Sequence, residues 1–332
     1  MGRRVLGRTG LSISEIGFGC GPTAGLIAGG QRDAQRAAVQ RALELGIDYF
    51  DTAPLYGAGE SERNLGAVLE DLAATPRVAT KVAIERADFG DIRGAILRSV
   101  EGSVARLRLP RITVLHLHNR VGAQRAAKAE FGSGALLCVD DVLGARGVAE
   151  TFASLRSQGV VDHFGCSAYG GDMAAVAEIV DSGAFDCIQV HYSMLNTSAW
   201  EPAPANSRLR DYQGIAARAA AAGLGVLALR VLEAGLLTDR PPAAHKVRAE
   251  GEASASERDS LAALLDREPL SEVALRFALS RPEVTTALIG FSSVAQVEAA
   301  VASAARGMLP PSLRSRIETW RAETLGASLS RK

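Results

Sequence analysis

Short apolar, β-branched stretches alternate with longer amphipathic ones along most of the chain, and no other feature narrows its fold as far. Strand-like runs at 16–20, 48–52, 78–82, 112–118, 162–167, 187–191, 225–229 and 286–289 are each followed by a helical pattern, at 31–45, 61–72, 92–107, 148–158, 172–182, 207–222, 271–280 and 294–304. Apolar strands separated by helices belong to parallel sheets covered on both faces. Eight such units predict a (β/α)8 TIM barrel, with an open doubly wound sheet as the alternative. Upstream, segments 3–6 and 11–16 flank a Gly7-Arg8-Thr9-Gly10 turn and predict a hairpin. Residues 1–332 are expected to form one barrel domain, since barrels of this kind run to about 250 residues and beyond.

Charge is balanced, 37 Lys and Arg against 37 Asp and Glu, which argues against nucleic acid as a partner because phosphate-binding surfaces carry a basic excess. Cys20, Cys138, Cys166 and Cys187 lie far apart with no CxxC. Neither a disulfide framework nor a zinc ribbon is readable, so a reducing cytoplasm is the expected compartment. Residues 1–15 lack the apolar core of a signal peptide, and the most apolar stretch, 219–229, is too short to cross a bilayer. The expected partner is a small molecule rather than nucleic acid or membrane, bound by a monomer or small homo-oligomer.

Two loops exceed the minimal repeat, 120–147 and 232–269. Both follow strands and so belong to the C-terminal rim of a barrel, where long loops recognise substrate or act as lids. That rim also collects polar residues. The second barrel strand ends in Asp51 with Tyr56 just beyond, the third in Lys81, the fourth in His118 and Asn119, the fifth in Ser167, and the sixth holds Gln189. A charge pointing into a barrel is costly unless paired, and Asp51 and Lys81 on adjacent strands can pair. Lys81 beside Tyr56 is expected to favour the phenolate and lower the phenol's pKa, which suits proton exchange with a substrate oxygen. His118 is expected to hydrogen-bond the same oxygen. Taken singly, an Asp-Thr cap or a solvated rim lysine explains each residue; together, on consecutive strands, they read as a site.

This set resembles the aldo-keto reductase superfamily. Phe50-Asp51-Thr52-Ala53-Pro54-Leu55-Tyr56-Gly57 is similar to the family's Asp-to-Tyr signature, Ala79-Thr80-Lys81 to its lysine strand and Leu115-His116-Leu117-His118 to its histidine strand. The hairpin resembles the one that plugs the family barrel, and Gly235-Leu236-Leu237-Thr238 and Leu288-Ile289-Gly290 match later signatures. The resemblance implies a nicotinamide cofactor and hydride exchange with an aldehyde, ketone, alcohol or sugar hemiacetal. It makes Tyr56 the general acid/base, tuned by Lys81 and Asp51, with His118 polarising the carbonyl. Ser167 and Gln189 would hold the nicotinamide carboxamide, and Arg230, Gly290, Ser292 and Gln296 would line the rest of the cofactor.

Departures from the family pattern bear on specificity. Ala168 stands where Asn is frequent, and the stacking aromatic of the seventh barrel strand falls at Leu229 or Arg230. The resemblance slightly favours NADP over NAD, but no Arg occupies position 296, so Arg306 or an Arg of the second long loop would have to hold a 2′-phosphate. On the substrate side Asn119 and Arg120 follow the histidine, with Tyr192, Trp200 and Phe18 as candidate walls. A polar rim suits a hydroxylated substrate such as an aldose. Two alternatives remain at this level: a nicotinamide-binding scaffold barrel without turnover, and a metal-dependent barrel hydrolase built on His116, His118 and His191. The fingerprint-like Gly17-Phe18-Gly19-Cys20-Gly21 lacks the third glycine and is set aside, no metal is expected, and Cys20 and Cys166 read as buried bystanders.

Overall fold

The structure, a computed structural model, describes residues 1–127, 134–203, 207, 209–238, 255–265 and 268–325. A hairpin of β1 (Arg3–Val5) and β2 (Ser12–Ser14) opens the chain, followed by β3 (Ile16–Gly19), β4 (Tyr49–Asp51), β5 (Arg77–Val82) and β6 (Ile112–Leu117). A small parallel pair, β7 (Val121–Gly122) and β8 (Leu137–Cys138), precedes β9 (Val161–Ser167), β10 (Cys187–His191), β11 (Gly225–Leu229) and β12 (Val284–Gly290). β3-β4-β5-β6-β9-β10-β11-β12 close into a parallel barrel, as the alternation predicts. Outside it lie α1 (Leu26–Gly29), α2 (Arg32–Glu44), α3 (Glu60–Asp71), α4 (Ile92–Leu107), α5 (Val139–Leu143) and α6 (Val148–Ser157). The outer ring continues with α7 (Met173–Asp181), α8 (Ile215–Ala221), α9 (Ala255–Leu264), α10 (Leu270–Leu279), α11 (Val294–Ala305) and α12 (Pro311–Thr324). Among the described residues no helix is long and apolar enough to cross a membrane.

Side chains alternate across each strand, so every second residue faces the bore. Phe18, Phe50, Val78, Leu115, Phe164 and Val190 pack outward against the helices. Tyr49, Ala79, Val114, Cys187 and Leu227 pack inward, with Leu6 and Ile13 of the hairpin beneath them. The floor is therefore apolar and closed. One step further along the same strands the inward positions become Asp51, Lys81, His116, Ser167 and Gln189. An apolar floor under a polar upper layer is what confines the chemistry to one end.

Asp48 fastens the plug to the barrel. Its carboxylate accepts from Arg3 Nη2 at 2.7 Å, Arg77 Nη1 at 2.5 Å and the Ser14 backbone N–H at 2.9 Å. Arg4 Nη1 donates to the carbonyls of Arg281 and Val284 at 2.8 and 2.6 Å, closing the opposite side.

Three expectations change. The helix expected over 207–222 shrinks to α8, because Gln213 and Gly214 take positive φ of 51° and 70° and break the turn. The loop 120–147 carries β7, β8 and α5 of its own, while 128–133 lie outside the described residues. The loop 232–269 is described only in part, since 239–254 and 266–267 lie outside, and α9 belongs to its second half. α12 had no counterpart among the helical patterns above.

Candidate active site

β4 places Asp51 at the bore and the turn beyond it brings Tyr56 back over the rim. That turn is pinned from both ends. The Tyr56 N–H donates to Ala53 O at 3.1 Å, and the Ser61 hydroxyl, in the first turn of α3, donates to Cys20 O at 2.8 Å and shares a hydrogen bond with Thr52 Oγ1 at 2.8 Å. Gly21 packs against the phenol at ordinary contact distance, a Cβ there lying 3.6 Å from Tyr56 Cε2.

Lys81 on β5 is 1% exposed and carries an ammonium shared between the Asp51 carboxylate and Thr52 O, the latter at 2.8 Å. The same ammonium lies 4.9 Å from the centroid of the Tyr56 ring. Burial by itself would lower the Lys81 pKa, but Asp51 and Tyr56 together outweigh it and hold the group protonated. His118, directly after β6, meets Tyr56 edge to face, ring centroids 5.9 Å apart at 84°. Burial, then the charges of Lys81 and Arg120, push His118 well below the usual histidine range, so its imidazole is neutral at physiological pH. The expected direction for Tyr56 is reversed. Burial raises the phenol to about 12, and Lys81 offsets only part of that rise. At neutral pH the site holds a protonated phenol beside a fixed ammonium.

Gln189 has a second partner that spacing did not suggest. Its Nε2 donates to Asp51 Oδ2 at 2.6 Å, so the amide is part of the Asp51–Lys81 cluster. β10 and β9 pair in a register that sets Gln189 directly beside Ser167. Ser167 is 2% exposed and its hydroxyl has no hydrogen-bond partner among the described residues.

The comparisons with known proteins give the family. The family model described as "Aldo/keto reductase family" matches residues 15–320. The L-galactose dehydrogenase of Arabidopsis thaliana is 30% identical over 90% of this chain and 87% of its own. The chain belongs to the aldo/keto reductase family. A D-threo-aldose 1-dehydrogenase from a Pseudomonas species is 27% identical over 87% of this chain and 88% of its own. The solved aldo-keto reductase AKR11C1 from Bacillus halodurans, in its holo form, has the same fold, with a TM-score of 0.74, 24% identity and coverage of 100% and 99%. This aldo/keto reductase is a nicotinamide-dependent oxidoreductase acting on carbonyl groups or the corresponding alcohols.

The residues present fit that cofactor: a buried hydroxyl awaiting a partner stands beside the Gln189 amide, as a carboxamide requires. The outer positions differ more from expectation. Arg230 follows β11 with a positive φ of 61°, and its charge acts on Glu233 and Tyr212. Gly290 closes β12 against the Gly21–Gly25 turn, where a Cβ would lie 2.9 Å from that of Ala24. Gln296 folds back so that its Oε1 accepts the N–H and hydroxyl of Ser292 at 2.8 and 3.0 Å, at the start of α11, which Ser293 caps. Arg306, the candidate for a 2′-phosphate, is paired with Glu272 at 2.5 Å.

Four residues expected on the substrate side do not stand at the mouth. Asn119 is fully buried; its Oδ1 accepts from Ile84 N at 2.7 Å and its Nδ2 donates to the carbonyls of Ile84 and Ala135 at 2.8 Å, tying the long loop to the end of β5. Tyr192 faces outward, packed on Trp200 and Phe277 at ring separations of 6.1 and 5.8 Å. Trp200 in turn lies under Arg281, 4.6 Å from ring to guanidinium. Phe18, the third wall, joins Phe50 and Phe291 in the outer core. The parity of β10 carried the signal for Tyr192, since it is three residues from the inward-facing Gln189. In place of these residues, Arg120 acts on His118 and Tyr169 on Tyr56, with the Arg120 guanidinium 5.0 Å from the Tyr169 ring.

Proposed function

We propose that the enzyme interconverts a hydroxylated, sugar-like carbonyl compound and its reduced partner, with Tyr56 as the proton-exchanging group. The observation that carries this reading is the protonated phenol held against the Lys81 ammonium at the end of the bore. When bound, the nicotinamide supplies a hydride to the carbonyl carbon or takes it back. The rest of the reaction falls to the chain. The Tyr56 hydroxyl and a ring N–H of neutral His118 hydrogen-bond the carbonyl oxygen and polarise it. As charge develops on that oxygen the Tyr56 proton moves to it, leaving an alcohol and a phenolate that Lys81 stabilises. In the oxidative direction the phenolate takes the alcohol proton. Asp51 keeps Lys81 charged and in place, and Gln189 holds Asp51. Ser167 and the Gln189 carbonyl orient the carboxamide.

The sugar dehydrogenases among its relatives support the substrate class. Uncharged Ser292 and Gln296, together with an Arg306 already engaged by Glu272, support NAD over NADP. Arg240 and Arg248 of the second loop lie outside the described residues. Four free thiols suit a reducing compartment such as the cytoplasm.

The test is cofactor consumption against a panel of aldoses and simple aldehydes with NADH, NADPH and their oxidised forms, using wild type and Tyr56→Phe. Turnover by the wild type and a loss of about a hundredfold or more in the variant, with cofactor affinity retained, is the expected result. Unchanged rates in Tyr56→Phe would sink the role given to the phenol.

A further inference from the structure

Hydrogen bonds from outside the bore fix Tyr56 and Lys81 relative to one another, and they close into a circuit through the first turn of α3. Thr52, directly after Asp51, is held on three sides. Its N–H donates to Ala79 O at 2.9 Å, its carbonyl accepts from Lys81 Nζ at 2.8 Å, and its hydroxyl shares a hydrogen bond with Ser61 Oγ at 2.8 Å. The Ser61 N–H donates to Tyr56 O at 3.2 Å, so one residue clasps both ends of the turn that carries the phenol. Glu62, next in the chain, reaches the other half of the couple. Its Oε1 accepts from the Thr80 hydroxyl at 2.5 Å, and Thr80 lies between Ala79 and Lys81 on β5. Successive residues of β5 are thus held on opposite faces, Thr80 outward by Glu62 and Lys81 inward by Asp51 and Thr52 O.

Thr52, Ser61, Glu62 and Thr80 are all fully buried. A carboxylate at that depth needs a cation, and Arg106 of α4 supplies it, Nε to Glu62 Oε2 at 2.6 Å. Gly66, one turn on from Glu62 along the same face of α3, lets α4 come close enough: a Cβ there would lie 2.5 Å from Leu107 O. Apolar side chains of the same volume would hold α3 on the barrel at least as well, since desolvation offsets most of the attraction in a buried ion pair. What the carboxylate adds is direction. Its hydrogen bond sets Thr80, and with it the neighbouring Lys81, at one position against the turn that Ser61 clasps.

We infer that Ser61 and Glu62 are positioning residues for the proton exchange, acting through Thr52 and Thr80 from behind the barrel wall to keep the Lys81 ammonium against the Tyr56 ring. This rests on the roles given to Tyr56 and Lys81 above. Neither residue touches the reacting atoms. Misplacement of a catalytic group by about 1 Å costs on the order of a hundredfold in rate. Slack in this circuit draws Lys81 away from the phenol. Lys81 offsets part of the rise that burial gives Tyr56, so its retreat leaves less phenolate and slows oxidation most.

The experiment uses Ser61→Ala and Thr80→Val, each of which removes one hydroxyl from the circuit, with Thr80→Ser as the conservative replacement. Each of the first two should lose about tenfold or more in kcat while KM for substrate and cofactor stays within about twofold of wild type. Thr80→Ser should recover most of the rate. The loss should be greater for oxidation at about pH 8 than for reduction at about pH 7, a split that general loosening of the fold would not give. Because the contacts form one unit, the double variant should lose little more than the worse single one. Should Thr80→Val not fold, Ser61→Ala decides alone by the same kcat, KM and pH readings. Wild-type kcat in the single variants whatever their urea midpoint, a loss confined to KM, or losses that multiply in full in the double variant would overturn the inference and leave Ser61 and Glu62 as a brace between α3, α4 and the barrel. Full activity of Tyr56→Phe would instead remove the proposed function, and this inference with it; an inactive Tyr56→Phe beside fully active Ser61→Ala and Thr80→Val sinks this inference alone.

Discussion

Gln189 and Asp51 meet across the bore of the barrel, amide Nε2 to carboxylate Oδ2 at 2.6 Å. The contact joins strands far apart in sequence and links the residue proposed to orient the cofactor to the ion pair that charges Lys81. One amide therefore serves two neighbours, and disturbing it should be felt in both. Gln189→Leu leaves a buried carboxylate oxygen without its donor, a loss of about 1.5–3 kcal/mol for a hydrogen bond to a charged group. The variant is expected to lose both turnover rate and cofactor affinity. Ser167→Ala, which removes only the hydroxyl proposed to meet the carboxamide, is expected to weaken cofactor binding with a smaller change in rate. Cofactor titration and steady-state kinetics on the two variants separate these outcomes, and identical behaviour would contradict the link.

With Tyr56 as the proposed acid/base, its phenol, raised to about 12, is expected to set the pH dependence in each direction. Reduction uses the protonated form, so its rate should stay level through neutral pH and fall only as pH approaches the phenol's pKa. Oxidation uses the phenolate, whose fraction rises about tenfold per pH unit below the pKa, so its rate should climb steadily from about pH 6 to pH 9. Lys81 opposes the effect of burial. In Lys81→Met the reductive fall should move to still higher pH and oxidation at pH 8 should drop further. Profiles of kcat in both directions check the sign; an oxidative rate that is flat from about pH 6 to pH 9 would contradict the raised phenol.

Breaking the Asp51–Lys81 pair should cost stability as well as rate. Lys81→Met leaves Asp51 buried and uncompensated, a loss of about 3–5 kcal/mol. The double variant Asp51→Asn with Lys81→Met removes the orphaned charge and is expected to recover part of that loss while turning over no faster than the single variant. Urea denaturation of both variants measures the difference. A double variant no more stable than the single one would show that the pair is not the source of the cost.

Asp48 stands at the opposite end of the barrel from the chemistry. It fastens the hairpin through Arg3, Arg77 and the Ser14 N–H. Asp48→Ala is expected to lower stability by about 1–3 kcal/mol, because these donors lose a charged acceptor that is mostly buried. KM and kcat should change little at temperatures where the variant is folded. Differential scanning calorimetry alongside standard kinetics tests both halves of the expectation.

Strand periodicity made the barrel legible before any coordinate. Alternation along a strand is a local property, so runs such as 187–191 already place Gln189 and His191 on one face and Val190 on the other. The same rule places Asp51, Lys81 and Ser167 at the rim, since strand ends are set by where the apolar run stops. Tyr56 was legible because the turn that carries it begins directly after Asp51.

What the chain's order of residues left undecided depends on contacts between distant segments and on burial. Asn119 looked like a substrate contact because it follows His118; loop closure buries it against the backbone of Ile84 and Ala135. Tyr192 and Trp200 looked like pocket walls because they are aromatic near a strand end; helix packing takes them to the outer core. The acidity of Tyr56 shows the division most plainly. Its neighbour Lys81 could be read from the strand pattern, and that charge alone favours the phenolate. The depth at which the folded barrel holds the ring could not, and in a medium of low polarity desolvation outweighs one adjacent charge, turning the direction of the shift.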